Sequence, residues 1–146
     1  MDIERMVNRL AAEYKTRDPF NICADLGIEV YRRPMEGMRG FIQFVHGVTI
    51  IQISETLSEI AAVYVCAHEL AHHFLHSGMN RVLMDCHTFM VPSKYENRAD
   101  RFAAHLLWGE PPLFDEQCLT DWQIADCLNV AVCNVNARLL ELGICY

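Results

Sequence analysis

No uncharged apolar run in this sequence is long enough to cross a bilayer. The longest, Ile60 to Ala67, falls far short of the ~20 residues that a spanning helix needs. The start of the chain, Met1-Asp2-Ile3-Glu4-Arg5-Met6-Val7, also lacks the apolar core of a secretory signal; it is charged from the outset and patterned as an amphipathic helix. These absences lead us to expect a soluble, cytoplasmic protein with no membrane association. Positive charge is scarce too, with 12 Lys and Arg against 19 Asp and Glu and a formal net charge of −7. The shortage is sharpest from Trp108 onward, where Glu110, Asp115, Glu116, Asp121, Asp126 and Glu141 face Arg138 alone, a net −5. Internal repeats, low-complexity segments and Cys-x-x-Cys pairs are all missing.

The acidic balance decides how the C-terminal third is read. Thr120-Asp121-Trp122-Gln123 forms a capping box that opens a helix through Cys127. Together with Ala131 to Leu140, it has the rhythm of a helix-turn-helix. A DNA-reading element should carry positive charge on its second helix, so this composition argues against nucleic-acid binding. A helical pair that packs on the rest of the chain, or docks a protein partner, fits better. At 146 residues and 52% hydrophobic content, one core is expected.

The chemistry is concentrated in His68-Glu69-Leu70-Ala71-His72. Two histidines four apart share one face of an α-helix, so both imidazoles can reach a single tetrahedral metal. Glu69 beside them can hold a water at the metal's open position, take its proton, and later hand that proton to a leaving amine. Metal binding alone has no need of this glutamate; hydrolysis does. The helix is predicted from about Glu55 to His76, with Ile60, Val63, Tyr64, Ala67, Ala71, Phe74 and Leu75 at three- and four-residue steps. No Gly or Pro interrupts it before Gly78, a plausible stop. The histidine pair borders the apolar stripe. A second helix is expected around Lys94 to Leu107, through Ala99, Phe102, Ala103, Leu106 and Leu107. On it Glu96 and Asp100 share a face: one can coordinate a metal while the other accepts a hydrogen bond from the far nitrogen of a ligand histidine. The plainer alternative pairs both carboxylates with neighbouring arginines on a solvated face.

The helix bearing His-Glu-Leu-Ala-His, followed by Glu96-Asn97-Arg98-Ala99-Asp100-Arg101-Phe102-Ala103-Ala104-His105-Leu106-Leu107, resembles the ImmA/IrrE-type zinc metallopeptidases. These are compact relatives of the thermolysin-like gluzincins. Asp18 to Val30 is similar to the family's N-terminal helix and first strand, and Arg39 to Ser54 to its hairpin. The chain departs at Ala71, where Gly is frequent, at Arg98, where an acidic residue is common, and at Trp108-Gly109-Glu110-Pro111-Pro112. The resemblance implies a single α+β, zincin-like domain. A small mixed or antiparallel sheet would pack on the two helices of residues 1–110, with a C-terminal helical pair over 111–146. It implies one zinc ion per chain held by His68, His72 and Glu96, with Glu69 as general base and Asp100 orienting a ligand histidine. The implied substrate is a helix-turn-helix repressor, and the alternative is a metal-binding module that sequesters such a repressor without cutting it. No oligomeric state follows from the pattern.

The remaining residues of interest are secondary. Cys23, Cys66, Cys86, Cys118, Cys127, Cys133 and Cys145 are an odd set, expected as reduced thiols and mostly small core hydrophobes. Cys86, between the two metal helices, is read as an ordinary loop cysteine, with a zinc cap or redox switch as the alternative. His76 is read as a helix-end histidine, and His73 as pointing away from the pair. His87, His105 and Tyr95 are all open as donors to the developing oxyanion.

Coarser elements follow from punctuation. A first helix is expected from Asp2 to Tyr14, and a second, opened by Asp18-Pro19, to Asp25 with Gly27 ending it. Strands are expected at Ile28–Tyr31, Phe41–Phe44 and Val48–Ser54, the last two joined through His46-Gly47. The last strand should border the cleft and could pair with an extended substrate.

Overall fold

The computed structural model describes residues 2–75, 93–109, 113 and 120–144. His76, Gly78, Cys86, His87, Glu110 to Pro112, Cys118 and Cys145 lie outside the described residues. The elements in chain order are α1 (Ile3–Tyr14), α2 (Pro19–Leu26), β1 (Glu29–Arg33), β2 (Gly40–Val45), β3 (Val48–Ser54), α3 (Glu59–Leu75), α4 (Ser93–Trp108), α5 (Asp121–Leu128), a 3₁₀ turn (Val132–Asn134) and α6 (Val135–Glu141). This is a mixed α+β, zincin-like arrangement. No helix among the described residues is long and apolar enough to cross a membrane.

Local chemistry explains the boundaries. Asp2 caps α1 by accepting from the Glu4 amide, and Asp18 caps α2 by accepting from Phe20, with Pro19 in the first turn. Gly27 ends α2 in the left-handed region at φ 74°. The strands β2 and β3 pair antiparallel with Val45 opposite Val48, leaving a two-residue turn. His46 and Gly47 both have positive φ there, 50° and 82°, as a type I′ hairpin requires. Parallel pairing of β1 with β3 completes a three-stranded sheet in the order β1-β3-β2.

Two helix starts differ from the expectation by more than one residue. The first turn of α3 begins at Glu59 rather than Glu55, because Ser54 to Leu57 turns back on itself and the Ser58 hydroxyl accepts from the Ala61 amide. In the C-terminal pair, α5 opens on the expected capping box, with Thr120 and Gln123 bonded reciprocally. Its partner is not one helix from Ala131: a 3₁₀ turn precedes α6.

Packing centres on α3. Ala61, Ala62, Val65, Cys66, Ala67, Leu70 and Ala71 are all buried, so this helix is enclosed on more than the single face its periodicity suggested. Alanines keep its surface low, which lets α2, α4, β2, β3 and α5 all approach it. One close approach is at Gly40 of β2, where a Cβ would lie 2.6 Å from Val65 Cγ1 and 2.8 Å from the Gln52 carbonyl oxygen. Against α4, the Phe74 and Phe102 rings stack at 6.0 Å, and Tyr64 meets Trp108 at 6.1 Å.

The cysteines follow the core. Cys23 on α2 and Cys66 on α3 are buried with their sulfurs 3.9 Å apart; Cys127 is buried and Cys133 exposed, and all four carry free thiols.

Candidate metal centre

Positions 68 and 72 of α3 face positions 96 and 100 of α4: His68 meets both carboxylates and His72 meets Glu96. Glu96 sits between the two imidazoles: its Oε2 is 2.9 Å from His68 Nε2 and its Oε1 is 3.0 Å from His72 Nε2. The imidazoles lie 5.2 Å apart, centre to centre, at 75°. One ligand atom from each of His68, His72 and Glu96 falls within 4.8 Å of the other two. The carboxylate thus faces the imidazoles instead of the solvated arginines of the plainer reading.

Asp100 closes the other side of His68. Its Oδ1 is 2.9 Å from His68 Nδ1 and accepts a 2.9 Å hydrogen bond from the Tyr64 hydroxyl. Its Oδ2 accepts from Arg138 Nη2 at 2.7 Å. Tyr64 sits one turn before His68, and its periodicity marked it only as apolar. Arg138 is the lone basic residue of the acidic C-terminal stretch. That isolation was the sequence signal for it, but charge counting used it only in the argument against nucleic-acid binding.

The electrostatics follow from this crowding. Burial alone would push the His68 pKa down, but hydrogen bonds to Asp100 and Glu96 outweigh it and raise it to about 10. Burial works against ionisation of Glu96 and Asp100, yet the imidazole contacts hold both carboxyls below the usual range. Glu69 behaves differently. Burial pushes its carboxyl upward, more than the neighbouring His68 and His72 pull it down. Its Oε2 is buried with no hydrogen-bond partner among the described residues. An unsatisfied carboxylate oxygen costs about 1–3 kcal/mol or more, and such groups persist where a ligand or reaction uses them.

These residues border a cleft of about 690 Å³ that includes Tyr64, Val65, His68, Glu69, Glu96 and Asp100. Gly40 of β2 and Asn129, Val130 and Arg138 of the C-terminal segment also line it. The strand that borders the cleft is β2, not the expected β3, since β3 is the central strand and is already paired on both sides. Of the open oxyanion donors, His105 of α4 is buried near Leu142 and Gly143, and Tyr95 carries the Lys94 ammonium 5.0 Å from its ring centre.

The donor set fits a metal ion. Two imidazole nitrogens and a carboxylate are a usual set for zinc, whose tetrahedral ligand atoms stand about 3.3 Å apart, close to the separations from Glu96. A family model described as the IrrE N-terminal-like domain of a peptidase family matches residues 23–123. The chain belongs to this family. A relative from Bacillus phage phi105, an immunity region protein, is 30% identical over 87% of the chain and 74% of its own length. The metallopeptidase ImmA of Bacillus subtilis (strain 168) is 25% identical over 97% of the chain and 86% of its own length. Membership in this IrrE/ImmA family makes the chain a metallopeptidase relative, and its His-His-Glu cluster is suited to a metal ion.

Proposed function

We propose that the chain is a zinc-dependent endopeptidase with His68, His72 and Glu96 as metal ligands and Glu69 as general base. Its substrate is a helix-turn-helix transcriptional repressor. The observation that carries this reading is the convergence of three ligand atoms within 4.8 Å, beside a buried glutamate oxygen that has no other partner among the described residues. The names of the relatives, an immunity region protein and a metallopeptidase, support a protein substrate in an immunity system. The same reading places the chain in the cytoplasm. The division into a core over 1–110 and a helical pair over 111–146 belongs to the same reading.

Zinc at this site would supply Lewis acidity, making water more acidic and the scissile carbonyl more electrophilic. Glu69 takes a proton from the attacking water and delivers it to the amine nitrogen as the C–N bond breaks. One peptide bond and one water become a carboxylate and an amine, with no covalent enzyme intermediate. Burial keeps the Glu69 carboxyl above its ordinary pKa, so it is a better base than an exposed glutamate. Asp100 accepts the Nδ1 proton of His68 and so keeps Nε2 as the ligand atom.

The test is cleavage of a repressor encoded beside this gene, comparing wild type with Glu69→Gln at matched metal content. Cleavage by wild type alone supports the peptidase and its base. Binding by both without cleavage overturns it in favour of sequestration.

A further inference from the structure

We propose that Arg138 is a positioning residue for the metal centre, holding Asp100 so that His68 presents Nε2 to the ion. The proposal rests on the reading of His68, His72 and Glu96 as ligands. It assigns to the C-terminal segment, outside the stretch matched by the family model, a part in building the site.

The geometry shows how. Asp100 has donors on both oxygens: Tyr64 and His68 on Oδ1, Arg138 on Oδ2 at 2.7 Å. Two of those donors come from α3 and the third from α6, so the carboxylate cannot rotate without breaking a contact. Arg138 is itself fixed from behind. Val135 and Leu139 of α6 are buried, and the Leu142 amide donates to the Arg138 carbonyl. Further out, Arg39 ties the end of α5 to the start of β2 through the Asp126 and Cys127 carbonyls, at 2.8 and 3.1 Å. The other arm of the Arg138 guanidinium, Nη1, reaches Glu141 at 3.2 Å. The side chains of Arg138 and Asp100 are only 21% and 23% exposed, so this pair is less screened than an ordinary surface ion pair.

Charge and orientation make opposite predictions for Arg138. Removing a cation beside a cation site should tighten metal binding if charge were its role. Removing the clamp on Asp100 should weaken binding, because a hydrogen-bonded partner of a ligand histidine is worth about 10–100-fold in affinity. A weakened site therefore separates orientation from charge, and the Asp100→Asn background separates it from a role in folding.

The experiment is zinc affinity by competition with a chromophoric chelator, read on the full chain without reference to activity. Wild type, Arg138→Gln, Arg138→Lys, Asp100→Asn and the double variant Asp100→Asn/Arg138→Gln are compared, with His72→Ala as reference and Tm measured for each. We expect Arg138→Gln to bind about tenfold more weakly. Arg138→Lys should recover most of that loss, and Arg138→Gln should add less than about twofold when combined with Asp100→Asn. Unchanged or tighter binding by Arg138→Gln overturns the proposal, as does an equal loss in the Asp100→Asn background, which would mark a role in folding only. Equally weak binding by wild type and His72→Ala overturns the metal site itself, and the positioning role with it.

Discussion

His68 stands between two carboxylates, with Nδ1 2.9 Å from Asp100 and Nε2 2.9 Å from Glu96. In the metal-free protein both ring nitrogens can donate, and the imidazolium is the favoured form up to about pH 10.

A pH dependence with a definite sign follows. The folded-state pKa of His68 lies above its ordinary 6.5, so its stabilising contribution is complete below that value and fades as pH rises toward about 10. Glu96 and Asp100 are shifted down from 4.5 and 3.8, so their contributions hold above those values and fade on acidification through their lowered folded pKa values. Chelator-stripped protein should therefore lose Tm on both sides of a plateau near mildly acidic pH. Metal must displace the His68 proton, so calorimetry in buffers of different ionisation enthalpy should record proton release on zinc binding. A Tm that climbs steadily from pH 6 to 10 would contradict the arrangement.

Glu69→Gln should separate chemistry from stability. Loss of the base is expected to lower kcat by about 10²–10⁴-fold with zinc content unchanged. A buried carboxylate that folding disfavours becomes a neutral amide, so the metal-free variant should melt a few degrees higher than wild type at neutral pH. A lower Tm with intact activity would reverse both roles.

Metal should act as a clamp between α3 and α4. Zinc at 100 times its Kd should add about 2.7 kcal/mol to the stability of stripped wild type, and a chelator should remove it. In Glu96→Gln, which keeps the shape but loses the charged ligand, that increment should all but vanish. An undiminished thermal shift would place the ion elsewhere.

Gly40→Ala should disturb the wall of the cleft. The new methyl would meet Val65 Cγ1 at 2.6 Å and the Gln52 carbonyl at 2.8 Å, and the second is backbone that cannot swing aside. We expect a loss of about 1–3 kcal/mol in urea unfolding, since β2 must back away from α3. An unchanged midpoint would show that the strand has slack there.

Much of this architecture was legible in the residues because local rules coincide with it. Asp18-Pro19 and Thr120 with Gln123 announce helix starts by satisfying amides that have no other partner, and His46-Gly47 supplies the positive φ of its hairpin. The His68/His72 pair was legible because helical period alone brings the two together. Glu96 and Asp100 were less so: their shared face follows from spacing, but its pairing with α3 depends on two helices meeting in register. The enclosure of α3 was missed because alanines read as neutral in a periodic pattern while permitting close approach on several sides. Arg138 and Tyr64 were missed for a related reason. Each gains its role only from a contact across sequence separations of 38 and 36 residues.

The sulfur atoms add a consequence of their own. Cys133 is exposed, whereas Cys23, Cys66 and Cys127 are sealed between helices. A thiol-reactive label should mark Cys133 at once and the others only when the fold breathes. Followed peptide by peptide, labelling becomes a clock with its own internal reference. If an ion fastens α3 to α4, the clock at Cys66, two residues from His68, should slow while that at Cys133 keeps time.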